Sequence, residues 1–148
     1  MGYFGALDIA ASGLTAQRFR MDTISQNIAN VSTTHTANGG PYRRKVTVFE
    51  ERVGNPSFDA YLREEPSSGG IPWRGVRAAR VVGDSAPFRK VYEPGHPDAD
   101  ADGYVSYPNV DVVTEMINMI SATRSYEAGV TSINTTKGLA SKALEIGR

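Results

Sequence analysis

Apolar residues return every seven positions near the start of the chain. Leu7, Leu14, Met21 and Ile28 make the repeat, and Ala11, Ile24 and Val31 fill much of the companion position. So narrow a stripe is the seam of a coiled coil rather than the broad face of a globular helix. It predicts a helix over residues 4–31, about 40 Å long at 1.5 Å per residue. Asn30, Ser32, Thr33 and Thr34 end it in helix-poor sequence, and Gly39-Gly40-Pro41 is a firm break. The far end of the chain is more regular still. Val112, Met116, Met119, Thr123, Tyr126, Val130, Ile133, Lys137, Ala140 and Leu144 follow alternating steps of four and three. Val113, Ile117 and Ile120 are expected to widen this stripe in its first turns. The pattern predicts a second helix over residues 111–146, about 50 Å long, capped by Asn109 or Asp111 and followed by Gly147.

Between the helices the period falls to two. Lys45 to Val53 alternates and is β-branched, and 75–82, 88–93 and 103–107 are shorter strand candidates. All eight prolines lie from Pro41 to Pro108, which leaves both ends free to be helical and the middle not. Asn55-Pro56, Ser67 to Gly70 and Pro94-Gly95 are turn or loop signals, with Ser67 to Gly70 the expected flexible point. The expected fold is therefore α+β: long N- and C-terminal helices pairing as a coiled coil, with a small β-rich middle module. The expected divisions are 1–37, 38–108 and 109–148. A long helix cannot bury a narrow stripe on a small β-module. The helices are expected to be marginal alone and to pair with each other, with other copies or with other proteins.

Charge sharpens this picture by exclusion. Lys+Arg and Asp+Glu both number 16, so a formally neutral chain exerts no long-range pull on nucleic acid or anionic lipid. Neutrality also leaves little repulsion between neighbouring copies. The chain has no cysteine, which excludes disulfides, thiolate metal sites and a cysteine nucleophile. No run approaches the length of a transmembrane helix, and Asp8, Arg18, Arg20 and Asp22 interrupt any signal-peptide core. Export, if it occurs, is expected to proceed without a cleaved secretory signal.

The sharpest candidate for chemistry is Asp98-Ala-Asp100-Ala-Asp102-Gly103, the first six positions of an EF-hand loop. The twelfth position is Asn109 where calcium needs a bidentate glutamate, and Pro94, Pro97 and Pro108 oppose flanking helices. A solvated acidic turn is the preferred reading, with a calcium-responsive binding module as the alternative. The same carboxylates find no partner for acid–base work. His35 and His96 stand alone, and neither a nucleophile elbow nor a phosphate-binding loop is present. Arg43-Arg44-Lys45 and the trio Arg74, Arg77 and Arg80 are the basic clusters. Residues 42–107 hold ten Lys/Arg against ten Asp/Glu, so these read as solvated strand edges or subunit-contact charges rather than a nucleic-acid face. No cofactor, metal or catalysis is expected.

The two terminal patterns carry more than periodicity. The run Ala6 to Arg18, then Met21 to Asn30 with its Asn27-Ile28-Ala29-Asn30 core and Ser32-Thr33, resembles the N-terminal signature of the bacterial flagellar rod, hook and hook-associated axial proteins. Tyr107 to Asp111, Glu115-Met116-Ile117 and Ser125 to Ala128 resemble their C-terminal signature. The closing Lys142 to Arg148 and the middle tract Val91 to Tyr107 are similar to the proximal rod members of that family. Larger middle insertions would mark distal rod or hook proteins, and this chain has no room for them. Another axial protein sharing the terminal motifs is the nearest alternative. Gly129 and Gly138 depart from good helix-forming sequence and place the straightness of the second helix in question.

The resemblance implies a structural subunit whose helices pair on assembly and line the inner wall of a helical tube, with the β-rich part outside. It implies export by the flagellar type III apparatus and a place in the rod that crosses the periplasm, carries torque toward the hook and encloses the export channel. The implied partners are other copies of itself, other proximal and distal rod proteins, and the hook–basal-body junction protein and export gate at the rod base. The expected assembly residues are Leu7, Leu14, Met21, Ile24 and Ile28 with Met116, Met119, Tyr126, Val130, Ile133 and Leu144. Asn27 and Asn30 are expected to fix the helix end and its register with neighbours by polar contacts.

Overall fold

The computed structural model describes residues 3–37, 39–52 and 75–146. The turn at Asn55-Pro56, the tract Ser67 to Gly70, and Arg74 lie outside these residues. Helix α1 spans Tyr3–Ala29 and helix α2 spans Val112–Ile146. Four strands lie between them: β1 Lys45–Glu51, β2 Val76–Gly83, β3 Arg89–Tyr92 and β4 Tyr104–Tyr107. The α+β expectation holds, and each strand falls within a residue or two of its alternating segment.

The strands form two separate antiparallel pairs, β1 with β2 and β3 with β4. Lys45 opposes Gly83 at one end of the first pair and Glu51 opposes Val76 at the other, with a register shift between Val48 and Phe49. Such an irregularity bends the strand and increases its twist, and here it falls where β1 follows α1. Thr47, Val48 and Phe49 are half-buried while both strand ends are exposed. β2 is entered through Gly75, whose φ of +77° is open to glycine alone without strain. A side chain there would also collide with Ser12, whose hydroxyl accepts a hydrogen bond from the Val76 amide at 3.1 Å. In the second pair, Tyr92 and Tyr104 are opposed and their rings meet edge to face at 5.3 Å.

The two helices run antiparallel and pack on each other along their length. The Asn27 side chain meets Glu115, Met21 meets Thr123, and Leu14 lies over Gly129. A Cβ at Gly129 would sit 2.8 Å from a Leu14 methyl, which gives this glycine a packing reason despite its poor helix propensity. α2 stays continuous through both Gly129 and Gly138. Asp111 caps it, accepting the Thr114 amide at 3.1 Å and the Thr114 hydroxyl at 2.5 Å.

The buried side of each helix differs from the expected stripe. On α1 the most enclosed residues are Ser12, Ala16, Thr23, Ile24 and Asn27, while Leu7, Leu14, Met21 and Ile28 are half-buried and Ala11 is exposed. α1 packs against α2 on one flank and β1 and β2 on another, so its contact surface is wider than one heptad seam. On α2 the enclosed residues are Glu115 and Ala122, one position before Met116 and Thr123 of the expected stripe. Val113, Ile117 and Ile120 do not widen a buried stripe; they and Met116 of the stripe itself are each more than half exposed, on the face turned away from α1. Small residues at the contact let the helix backbones approach, and the bulkier neighbours are turned outward.

Candidate functional site

Where α1 ends, β1 begins and α2 starts, a buried polar cluster ties the three together. Asn27 sits on the last turn of α1 and is 1% exposed. Its carbonyl accepts from the Lys45 amide at 2.9 Å and the Tyr42 hydroxyl at 3.0 Å. Its amide donates to the Lys45 carbonyl and to a Glu115 oxygen, both at 2.8 Å. Asn27 therefore pairs with β1 as another strand would: both side-chain N–H groups donate and the side-chain oxygen accepts twice.

Glu115 is fully enclosed one turn into α2. One oxygen takes the Asn27 amide, and the other takes Arg44 through Nε at 3.0 Å and Nη2 at 2.7 Å. Arg44 extends the chain of contacts to Asp84, 3.1 Å away, in the turn after β2. Partial burial by itself lowers the Arg44 pKa, but its hydrogen bonds to Glu115 and Asp84 outweigh this and hold the guanidinium above its ordinary value. Burial, and then the Glu115 charge, raise the Tyr42 phenol, which keeps it a neutral donor to Asn27. Asn109 completes the frame by accepting the Arg44 amide at 2.8 Å and donating to the Ala86 carbonyl at 3.1 Å.

This cluster corrects one expectation and refines another. Arg44 is neither a solvated strand-edge charge nor a surface contact; it is the inward partner of Glu115. Asn27 does fasten the helix end by polar contacts, but those contacts are inside the chain. Asn30 acts locally, donating to the Gln26 carbonyl at 2.8 Å and accepting the Thr33 hydroxyl at 3.2 Å. Glu115, Arg44, Tyr42, Asp84 and Asn109 were not singled out as site residues from sequence. The one signal was Glu115 itself, an acid inside an otherwise apolar helical start.

The expected assembly residues divide in two. Leu7, Leu14, Met21, Ile24, Ile28, Met119, Tyr126 and Ile133 lie half-buried or buried, with Ile24 at 5% exposure. Met116, Val130 and Leu144 are exposed. Leu144 is on the same face of α2 as Glu115, Ala122 and Ile133, yet it is 77% exposed. The helix register explains this: at 1.5 Å per residue, Tyr3 at the start of α1 lies level with about Ala140, so among the described residues the last turn and a half of α2 extends beyond α1.

The acidic turn is closed by its own contacts. Asp98 accepts the Thr34 hydroxyl at 2.7 Å, and Asp100 accepts the Asp102 and Tyr104 amides. Asp98 and Asp100 thereby join the second strand pair to the segment after α1. Among the described residues no group of three His, Asp or Glu side chains is arranged to hold a metal ion. Among the described residues no helix is long and apolar enough to cross a membrane either.

The Asp111 cap carries a pH prediction. The Thr114 hydroxyl, and then its amide, hold the Asp111 carboxyl below its ordinary pKa. A depressed carboxylate stabilises the fold above its unfolded pKa and loses that contribution as pH falls through the lower, folded value. Asp111→Ala is expected to speed amide exchange at residues 112–115 near neutral pH and to make no difference in strong acid. An equal effect in acid would show that the ionised carboxylate is not the cap.

Two long terminal helices fastened to each other and to a small β-module by buried polar contacts make the frame of a helical structural subunit. Comparison with known proteins agrees. The family described as flagella basal body rod protein matches residues 7–34, and that described as flagellar basal body rod FlgEFG protein C-terminal matches residues 101–146. The chain is 47% identical to the flagellar basal-body rod protein FlgC of Borreliella burgdorferi, over 99% of this chain and 98% of that one. It is 46% identical to FlgC of Bacillus subtilis over the whole of both chains, and 41% identical to FlgC of Escherichia coli O157:H7, again over both chains. The chain belongs to the FlgC family of flagellar basal-body rod proteins, which are structural and not enzymes.

Proposed function

We propose that this chain is a subunit of the proximal rod, built through its terminal helices into a helical tube that carries torque from motor to hook and encloses the export channel. In this reading it crosses the periplasm as part of the rod and reaches it through the flagellar type III apparatus. Its neighbours are other copies of itself, other proximal and distal rod proteins, and the junction protein and export gate at the rod base. The observation that carries the reading is the apolar surface left on α2 once α1 has packed. Leu144 projects from its end at 77% exposure, where the inward face continues past α1, and Leu139 and Ile146 are exposed at 64% and 86% on the other side of the same helix end. A helix face that stays apolar beyond its internal partner is stabilised by burial against another chain.

Torque loads many contacts at once, and a head-to-tail contact that does not close into a ring generates a tube. The buried link from Asn27 through Glu115 to Arg44 would transmit load from the helices to the β-module. Leu144→Asp tests the reading because it touches no internal contact. The isolated variant is expected to unfold within about 2 °C of the parent, as surface changes do. Swimming should be lost while the protein is still made. Normal motility with Leu144→Asp would remove the end of α2 from the assembly surface.

A further inference from the structure

The outward face of α2 and a groove elsewhere on the same helix pair match each other. Val113, Met116, Ile117 and Ile120 stand at i, i+3, i+4 and i+7 on one face, between 54% and 65% exposed, and form an apolar ridge about two turns long. Further along, Ala6, Ala10 and Gly13 on α1 lie beside Ser125, Gly129 and Ser132 on α2. They wall a groove of about 470 Å³ running along the helix pair. Both rows repeat at i, i+4 and i+7, the spacing that leaves room for a third helix to approach closely. Gln17 lies at one end, and its side-chain oxygen is buried without a hydrogen-bond donor among the described residues.

We propose that the ridge of one copy seats in the groove of a second copy of this chain, an inference that rests on the rod-subunit reading above. Three observations favour a second copy over another occupant. Large side chains at helical spacing on the ridge answer small ones at helical spacing in the groove. Neither surface exposes a formal charge, because the only ionisable residue between Val113 and Ile120 is the enclosed Glu115, and the groove is walled by Ala, Gly, Ser and Gln together with Ile9 and Leu14. The chain as a whole is formally neutral, so copies do not repel one another. A partner chosen by charge has nothing to grip here.

Ridge and groove are centred about twelve residues apart on α2. Two copies pointing the same way therefore engage when one slides about 18 Å along the helix axis relative to the other. Each copy offers its own ridge onward, so the contact propagates without closing. Gly13 is the critical position in the groove, because a Cβ built there meets nothing within 4 Å. A larger side chain at that site fits the single chain and blocks the neighbour.

The absence of cysteine makes the test direct. Cells making both Gly13→Cys and Ile117→Cys chains are treated with a mild oxidant, and their basal bodies are isolated. A disulfide-linked dimer of this chain is expected, and neither variant alone should give it. Gly13→Leu and Ile117→Lys should each keep the parent's unfolding midpoint and lower swimming at least tenfold. A cross-link from Ile117→Cys only to a chain of different mass would overturn the proposal, since another rod protein would then cover the ridge. No cross-link, with normal swimming by Gly13→Leu and Ile117→Lys, would also overturn it. The rod reading is tested apart from this by Leu144→Asp: loss of swimming by that variant leaves it standing, and normal swimming takes the end of α2 out of the assembly surface as well.

Discussion

Glu115→Ala is expected to lower the stability of the isolated chain by about 3 kcal/mol, the low end of the roughly 3–5 kcal/mol that follows when one partner of a buried ion pair is removed. The carboxylate is fully enclosed and is the shared acceptor for Asn27 and Arg44. Its loss strands a buried amide donor and a guanidinium that retains only Asp84. Arg44 keeps 23% side-chain exposure, so water can rescue part of the charge, which is why the lower figure applies. Glu115→Gln should cost less, because the side chain still fills its space and one oxygen can accept from Arg44. The urea midpoints of the three proteins decide the matter. A Glu115→Ala midpoint within experimental error of the parent would mean that the cluster adds nothing to stability.

Asn27→Leu is nearly as damaging, at about 2–3 kcal/mol for buried polar groups left without partners. It removes the partner of the Lys45 amide and carbonyl at once, together with that of the Tyr42 hydroxyl. Asn27→Asp separates shape from charge. The aspartate is isosteric, but it places a second carboxylate within hydrogen-bond reach of Glu115, 2.8 Å from where the amide stood. Two such carboxylates cannot both ionise cheaply, so one has its folded pKa raised. A raised carboxyl pKa destabilises the fold above that value, and the penalty disappears as pH falls through it. Asn27→Asp is therefore expected to be weak at neutral pH and to regain stability relative to the parent on mild acidification. A pH-independent deficit would place the fault in packing rather than in paired charges.

Both variants also bear on assembly. If the cluster couples the helices to the β-module, losing it should leave the strands intact while α2 frays from its start. Segment-by-segment hydrogen exchange reads this, with faster exchange at residues 112–122 and little change in β3 and β4. Uniform loss across the chain would show instead that the helices and the strands unfold as one unit.

Much of the fold was legible in the sequence because its signals are local. Proline confined to the middle left two helices at the ends, and alternation with β-branched residues marked all four described strands. A helix stop at Asn30 and a cap at Asp111 need only a few neighbouring residues. The N- and C-terminal motifs carried the family in the same way, as short runs readable without partners. Which side of each helix turns inward was not legible from periodicity. A seven-residue repeat through Leu7, Leu14, Met21 and Ile28 describes one helix against one partner, whereas α1 meets α2 and two strands. On α2 the apolar stripe begins at Val112 and Met116, but the enclosed positions are Glu115 and Ala122.

The physical reason lies in what each kind of information can reach. Backbone propensity and turn chemistry act over a handful of residues, so the sequence alone determined where helices and strands start and stop. Close approach of two helices is decided by both surfaces together. Ala122 and Gly129 permit it, and only the packed structure shows that Gly129 does so against Leu14. The Asn27, Arg44 and Glu115 cluster joins residues 17 to 88 positions apart, each of an ordinary polar type that alone predicts a surface. Burial converts them into a connection, because a buried charge or amide must find a partner, and tertiary structure alone decided which partner that is.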